Sequence, residues 1–172
     1  MDPEHASELR VIVVMGVAGA GKTTAGRALA EALGWKFYDA DEFHTPEHVE
    51  KMRRGEALTD EDRTPWLEVL CSLIAGVVRR GEHAVLACSA LKQWYRDALI
   101  PKDVSRDAVQ FVHLDVPPDV LHERLAGRTH YFGPALLDSQ LATLEPPRDA
   151  LVVDGTRPVP EIVHTVREAF GI

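Results

Sequence analysis

Cysteine is close to absent: Cys71 and Cys88 are the only two among 172 residues. Two isolated thiols exclude a disulfide framework and a thiolate metal site. Long apolar runs are missing as well, and none approaches the length of a membrane span. Met1 to Leu9 are polar and acidic, without the apolar core of a secretory signal. Positive charge is in deficit, with 19 Lys and Arg against 27 Asp and Glu and a formal net charge of −8. That balance argues against a nucleic-acid coat or an anionic membrane as partner. Anionic ligands must then be met by local clusters of Lys and Arg. Internal repeats and low-complexity tracts are absent, and the proline-containing stretch Glu145 to Arg148 reads as a loop. What remains is an ordinary globular composition, 45% hydrophobic and 27% charged. A chain of this length suits a single domain over residues 1–172, burying about 70% of its unfolded surface. A cytoplasmic enzyme fits all of these features.

Against that plain background one stretch organises the chain. Val11 to Val14 are four β-branched residues in a row, the pattern of a parallel strand buried on both faces. Gly16-Val-Ala-Gly-Ala-Gly21-Lys22-Thr23 follows at once, matching G-x-x-x-x-G-K-T. Ala25, Ala28, Leu29, Ala32 and Leu33 then recur at helical spacing, with Gly34 as a stop. Strand, glycine loop and helix in that order make a P-loop, a phosphate cradle. Glycines let several N–H groups converge on one anion, and the helix N-terminus adds partial positive charge. Gly16, Gly19, Ala20, Gly21, Lys22, Thr23 and Thr24 are therefore the expected nucleotide-binding set. Lys22 is placed to reach the β- and γ-phosphates, and the Thr23 hydroxyl to sit on Mg²⁺. The ligand is a nucleoside triphosphate.

Further strand-like runs occur at Phe37-Tyr38, Ala84–Ala87, Phe111–Leu114 and Leu151–Val153. Helical patterns separate them. The clearest runs through Trp66, Leu67, Leu70, Leu73, Ile74, Val77 and Val78, with Thr64 expected as N-cap and Pro65 as first helical residue. Strands alternating with helices imply an α/β fold, a five-stranded parallel sheet with helices on both faces. Ligands in such sheets lie at the C-terminal strand ends. Asp39-Ala40-Asp41 ends the second strand, and period-two alternation puts both carboxylates on one side there. A phosphoryl acceptor needs an oriented hydroxyl and magnesium needs oxygen ligands, and carboxylates serve both. A turn or helix-capping pair is the other reading of these two residues.

The segment His44 to Leu67 reads H-x₆-K-M-x-x-G-x-x-L-x-D-x-D-R-x-P-W-L. It offers Lys51, Arg54 and Arg63 to a carboxylate, and His44, Asp60 and Asp62 to hydroxyls. The segment resembles the substrate region of the gluconate kinase (gluconokinase) family, P-loop kinases of sugar acids. Cys88-Ser89-Ala90-Leu91-Lys92-x-x-Tyr95-Arg96-Asp97 is similar to the stretch after that family's third strand. Leu137-Asp138-Ser139-Gln140-x-x-Thr143-Leu144-Glu145-Pro146 is similar to the stretch after its lid. The likeness runs in order from about Arg10 to the C-terminus. By position Ser89 and Lys92 face the cleft mouth, and Trp94 and Tyr95 read as packing residues. A shikimate kinase, which the Asp39 and Asp41 pair alone would suit equally, would carry a Gly-rich turn where Cys88-Ser89-Ala90 stands.

The resemblance implies a three-layer P-loop kinase fold with a short lid over about residues 124–135. Arg124 and Arg128, four apart on one helical face, would reach the phosphates when it closes. The family's Gly-His-Phe there is replaced by His130-Tyr131-Phe132. Arg157, after the last strand, would border the adenine. The implied reaction is transfer of phosphate from ATP to D-gluconate, giving 6-phospho-D-gluconate. Lys22, Asp41 and Arg128 would be catalytic, with Asp41 orienting or deprotonating the primary hydroxyl. Thr23 and Asp39 would hold Mg²⁺, and Asp41, His44, Lys51, Arg54, Arg63, Ser89 and Lys92 would bind the acid. The family also implies a homodimer. Two rivals stand beside this reading: a kinase of another small hydroxy acid such as shikimate, and a nucleotide-dependent switch. A guanine-nucleotide switch would show an Asn/Thr-Lys-x-Asp motif, which the chain lacks.

Overall fold

Five parallel strands form one sheet: β1 (Val11–Met15), β2 (Lys36–Asp39), β3 (Ala84–Ala87), β4 (Val109–Asp115) and β5 (Leu151–Asp154). The computed structural model describes residues 8–127 and 134–172. In space the strands run β2-β3-β1-β4-β5, so β1 is central and buried along its whole length. This position explains its unbroken β-branched run, because neither face meets water. Residues Val11 to Val14 pair with Ala84 to Ala87 on one side and with Val109 to Val112 on the other. The chain reverses its direction of travel across the sheet at β1, opening a crevice above the C-terminal end of that strand.

Among the described residues six α-helices lie between the strands and a seventh follows the last strand. They are α1 (Lys22–Leu33), α2 (Pro46–Arg53), α3 (Asp60–Arg79), α4 (Gln93–Leu99), α5 (Pro118–Ala126), α6 (Pro134–Thr143) and α7 (Val159–Phe170). α1 buries Ala25, Gly26, Leu29 and Ala30 against the sheet. Gly26 is needed for that approach, since a Cβ there would lie 2.8 Å from the Phe37 ring. α1 ends at Gly34 in a left-handed cap, as the sequence predicts.

The start of α3 differs from expectation. Its N-cap is Thr59, five residues before Thr64, and Pro65 lies inside the helix. Thr59 Oγ1 accepts from Asp62 N–H at 3.1 Å, and the Asp62 carboxylate accepts from Thr59 N–H at 2.9 Å. This reciprocal box satisfies two end donors and starts the helix ahead of the proline. Pro65 then costs the helix only the bond to the Glu61 carbonyl. The apolar face read from the sequence holds, with Trp66, Leu67, Leu70, Ile74 and Val77 buried.

β2 likewise stops at Asp39, and Ala40–Phe43 turn into a 3₁₀ helix, so period-two alternation does not extend to Asp41. Asp39 caps that turn by accepting from Asp41 N–H at 3.0 Å. The capping reading of Asp39 is correct, and it does not exhaust what the residue does.

Candidate active site

The loop between β1 and α1 lies at the crevice. Gly19 and Gly21 hold φ of 85° and 92°, left-handed values that glycine adopts without strain. A Cβ on Gly21 would meet nothing within 4 Å, so the space beside the start of α1 is open. No side chain caps α1. Its first-turn N–H groups and its positive end are left to an anion. The loop thus fits a polyphosphate on its own geometry. Lys22 Nζ donates to the Val17 carbonyl at 3.0 Å, folding the ammonium back over the loop.

Thr23 and Asp39 meet across the strand ends. Thr23 Oγ1 donates to Asp39 Oδ2 at 2.9 Å. A hydroxyl and a carboxylate oxygen side by side suit magnesium, which takes oxygen ligands and keeps several waters or phosphates. Among the described residues no group of three or more His, Cys, Asp or Glu could hold a metal. Magnesium bound with a nucleotide does not require one.

Asp41 sits beside this pair, open to solvent yet recessed among other groups. Desolvation pushes its carboxyl up, but the His44 contact and the charges of Lys22 and His44 outweigh it and hold the group below its ordinary value. Asp41 is therefore a carboxylate at neutral pH, within reach of the Lys22 field. His44 is nearly enclosed, its side chain 5% exposed, and its Nε2 lies 3.6 Å from Asp41 Oδ1. Its ring stacks on Trp66 at 4.3 Å, and Trp66 Nε1 donates to the Ala40 carbonyl at 2.8 Å. One indole thus fixes both the backbone before Asp41 and the imidazole beside it. His44 supports Asp41 from a ring held by this stack.

Three of the remaining substrate candidates, Lys51, Arg63 and Lys92, join two ion-paired groups at the start of α3. In the first, Tyr95 donates to Asp60 Oδ1 at 2.5 Å and accepts from Arg63 at 2.7 Å. Lys92 Nζ lies 3.3 Å from Asp60, and both cations approach the Tyr95 ring. The Tyr95 hydroxyl holds Asp60 below its usual value, and the Asp60 bond raises Lys92. In the second group Lys51 pairs with Asp62 at 2.8 Å, and His48 Nε2 lies 3.7 Å from Asp62 Oδ1. Hydrogen bonds from Lys51 and Thr59 keep Asp62 far below the ordinary carboxylate range. Both carboxylates also gain from the positive end of α3.

Some candidates stand apart. Arg54 points outward, 55% exposed and 3.6 Å from Glu56, so it is not drawn into either group. Arg157 is 65% exposed and pairs with Asp154 at 3.5 Å. Ser89 is half-buried, and its carbonyl accepts from Gly16 N–H at 3.4 Å. Arg124 faces the back of the P-loop. Its guanidinium donates to the Gly19 carbonyl at 3.0 Å and the Gly155 carbonyl at 2.8 Å. Arg128 and His130 lie outside the described residues.

Several site residues escaped the sequence reading. Tyr95 packs, as expected, at 2% exposure, but its hydroxyl also links Asp60 to Arg63. Gln140 reaches the P-loop, its Oε1 accepting from Ala18 N–H at 2.7 Å. Arg96, 2% exposed, joins the Ala90 and Glu145 carbonyls at 2.7 and 2.8 Å. Ala90 holds φ of 45°, left-handed without being glycine, at the turn that replaces a glycine-rich one. Cys88, beside it, is inert as a nucleophile, because burial pushes its thiol up to about 12.

Comparison with known proteins agrees with this geometry. A family model described as an AAA domain matches residues 11–147. A gluconokinase of Gluconobacter oxydans (strain 621H) is 47% identical over 151 residues, 85% of this chain and 83% of the relative. The thermoresistant gluconokinase of Escherichia coli (strain K12) is 36% identical over 93% of each chain. The crystal structure of a gluconokinase from Sinorhizobium meliloti 1021 superposes with a TM-score of 0.83 at 42% identity, covering 94% of this chain and 91% of that one. With its P-loop, its Thr23 and Asp39 pair and its ion-paired segment at α3, this chain belongs to the gluconokinase family.

Proposed function

We propose that this protein transfers the γ-phosphoryl group of ATP to the C6 hydroxyl of D-gluconate. The observation that carries the reading is the convergence of P-loop and acceptor residues: Thr23 bonds Asp39, while the charges of Lys22 and His44 both act on Asp41. The P-loop N–H groups and Lys22 hold the β- and γ-phosphates. Thr23 and Asp39 would hold magnesium, which when bound neutralises charge on the phosphates. The Asp41 carboxylate orients the C6 hydroxyl and receives its proton as the oxygen bonds to phosphorus and the bond to ADP breaks. Arg63, Lys92 and Lys51 supply charge for the gluconate carboxylate, and Asp60, Asp62 and His48 accept or donate to its hydroxyls. Arg128 is assigned to the transferring phosphoryl group, as the family likeness implies. The absence of a membrane-length helix among the described residues suits a cytoplasmic location. A homodimer follows from the family expectation.

Shikimate is the competing acceptor, and an ADP-release assay over gluconate, idonate and shikimate decides between them. A site built to pair several hydroxyls and a carboxylate rejects a wrongly shaped acid by about 10⁴-fold in kcat/KM. Gluconate should therefore raise ADP release far above the ATP-only rate. Faster turnover with shikimate would overturn the reading of the α3 segment.

A further inference from the structure

The P-loop is held from outside by both helices between β4 and β5. Arg124 of α5 donates to the carbonyls of Gly19 and Ala20, at 3.0 and 3.5 Å. Gln140 of α6 accepts from Ala18 N–H at 2.7 Å, across 122 residues of sequence. Since a backbone N–H can only donate, the amide atom facing it must be the carbonyl oxygen. The rest of the loop is braced too. Ala20 N–H donates to the Val17 carbonyl at 3.1 Å, and the same carbonyl accepts from Lys22. A Cβ on Gly155 would lie 2.5 Å from Val116 and 3.4 Å from the Ala20 carbonyl, so the loop after β5 packs directly behind.

A loop that gathers N–H dipoles around one point is under mutual repulsion when no anion fills it, and it relaxes unless its own groups are held. The outward carbonyls are held by Arg124, Lys22 and the turn. Gln140 holds the N–H at the other side of the loop. We propose that Gln140 is a positioning residue for the nucleotide, acting through Ala18 to keep the P-loop in its phosphate-receiving shape. Ala18 N–H and Ala20 N–H then belong to the brace, and the anion is met by the N–H groups of Gly19 and of Gly21 onward. The inference rests on the reading of this loop as the nucleotide site, but not on gluconate as the acceptor.

Two substitutions separate the hydrogen bond from the space the side chain fills. Gln140→Met keeps length and volume without an acceptor, whereas Gln140→Asn keeps the amide but falls short by a methylene. ADP affinity is read by calorimetry without any acid present, alongside gluconate KM and a thermal melt. Both variants should bind ADP about five- to tenfold more weakly, the usual effect of one lost hydrogen bond. Gluconate KM should stay within about twofold and the melt near wild type, because α6 keeps its buried Leu136 and Leu137. Wild-type ADP affinity in Gln140→Met would mean that the residue only fills space. Tighter ADP binding in either variant would mean that Gln140 competes with phosphate for the N–H. Parallel loss of ADP and gluconate binding with a lowered melt would mean general damage. Any of these three overturns the proposal. A wild-type protein that binds ADP yet ignores gluconate would refute the acceptor assignment and leave this test intact.

Discussion

In the proposed reaction Asp41 is the residue that meets the acceptor hydroxyl. It is held ionised, adjoins the Lys22 field, and is steadied by an imidazole stacked on Trp66. Asp41→Asn keeps the shape and removes the charge. If the carboxylate orients the hydroxyl and takes its proton, kcat should fall by about 10²- to 10⁴-fold. Phosphoryl transfer is loose, so proton removal comes late and positioning carries much of the effect, placing the loss toward the lower end. Affinity for the magnesium nucleotide should persist, because the proposal gives that site to Thr23 and Asp39 and not to Asp41. Steady-state kinetics at saturating gluconate, paired with calorimetric nucleotide binding, reads both. Unchanged turnover would make Asp41 a turn residue and nothing more. Lost nucleotide binding would move it onto the metal.

At the scale of the element, the N-terminus of α3 gives its capping and ion-paired side chains a part in stability. The proposed function gives the same side chains a part in binding the acid. Asp62 closes the capping box with Thr59 and pairs with Lys51, and it is ionised far below the ordinary carboxylate range. A carboxyl whose folded value lies below its unfolded 3.8 stabilises the fold fully above that value. The contribution is lost as pH falls further toward the folded value. Thermal melts should therefore separate wild type from Asp62→Asn near neutrality, and the gap should close as the pH drops below the unfolded carboxyl range. A gap independent of pH would show that the charge of Asp62 contributes nothing to stability. This element also marks how far the sequence could be read. The apolar face from Trp66 to Val77 was legible because helical period is a local signal, and the same holds for the β-branched run of β1. The true start was not, because Pro65 resembles a first-turn residue while Thr59 and Asp62 form their box ahead of it. Asp41 was misplaced for a related reason: a capping aspartate at Asp39 turns the chain where alternation would have carried it straight on. The Gln140, Arg96 and Tyr95 contacts join distant segments, and no local period signals a pairing of that kind.

At the scale of the whole molecule, the parallel sheet brings these parts to one edge. The P-loop follows β1, Asp39 ends β2 with Asp41 just after it, and the Ala90 turn with Lys92 follows β3, so the residues proposed for phosphate and for acceptor share three adjacent strand ends. That arrangement, and not any single side chain, is what makes an in-line transfer from nucleotide to sugar acid possible. The kinase motif alone would permit many acceptors, and the likeness to gluconokinases over most of the chain narrows the choice to gluconate. The most direct check is to incubate the protein with ATP, magnesium and D-gluconate and follow carbon and phosphorus magnetic resonance of the products. The account predicts stoichiometric ADP and a phosphate ester on C6 of gluconate, seen as phosphorus coupling to that carbon. ADP without a phosphorylated gluconate, or an ester at another carbon, would contradict it.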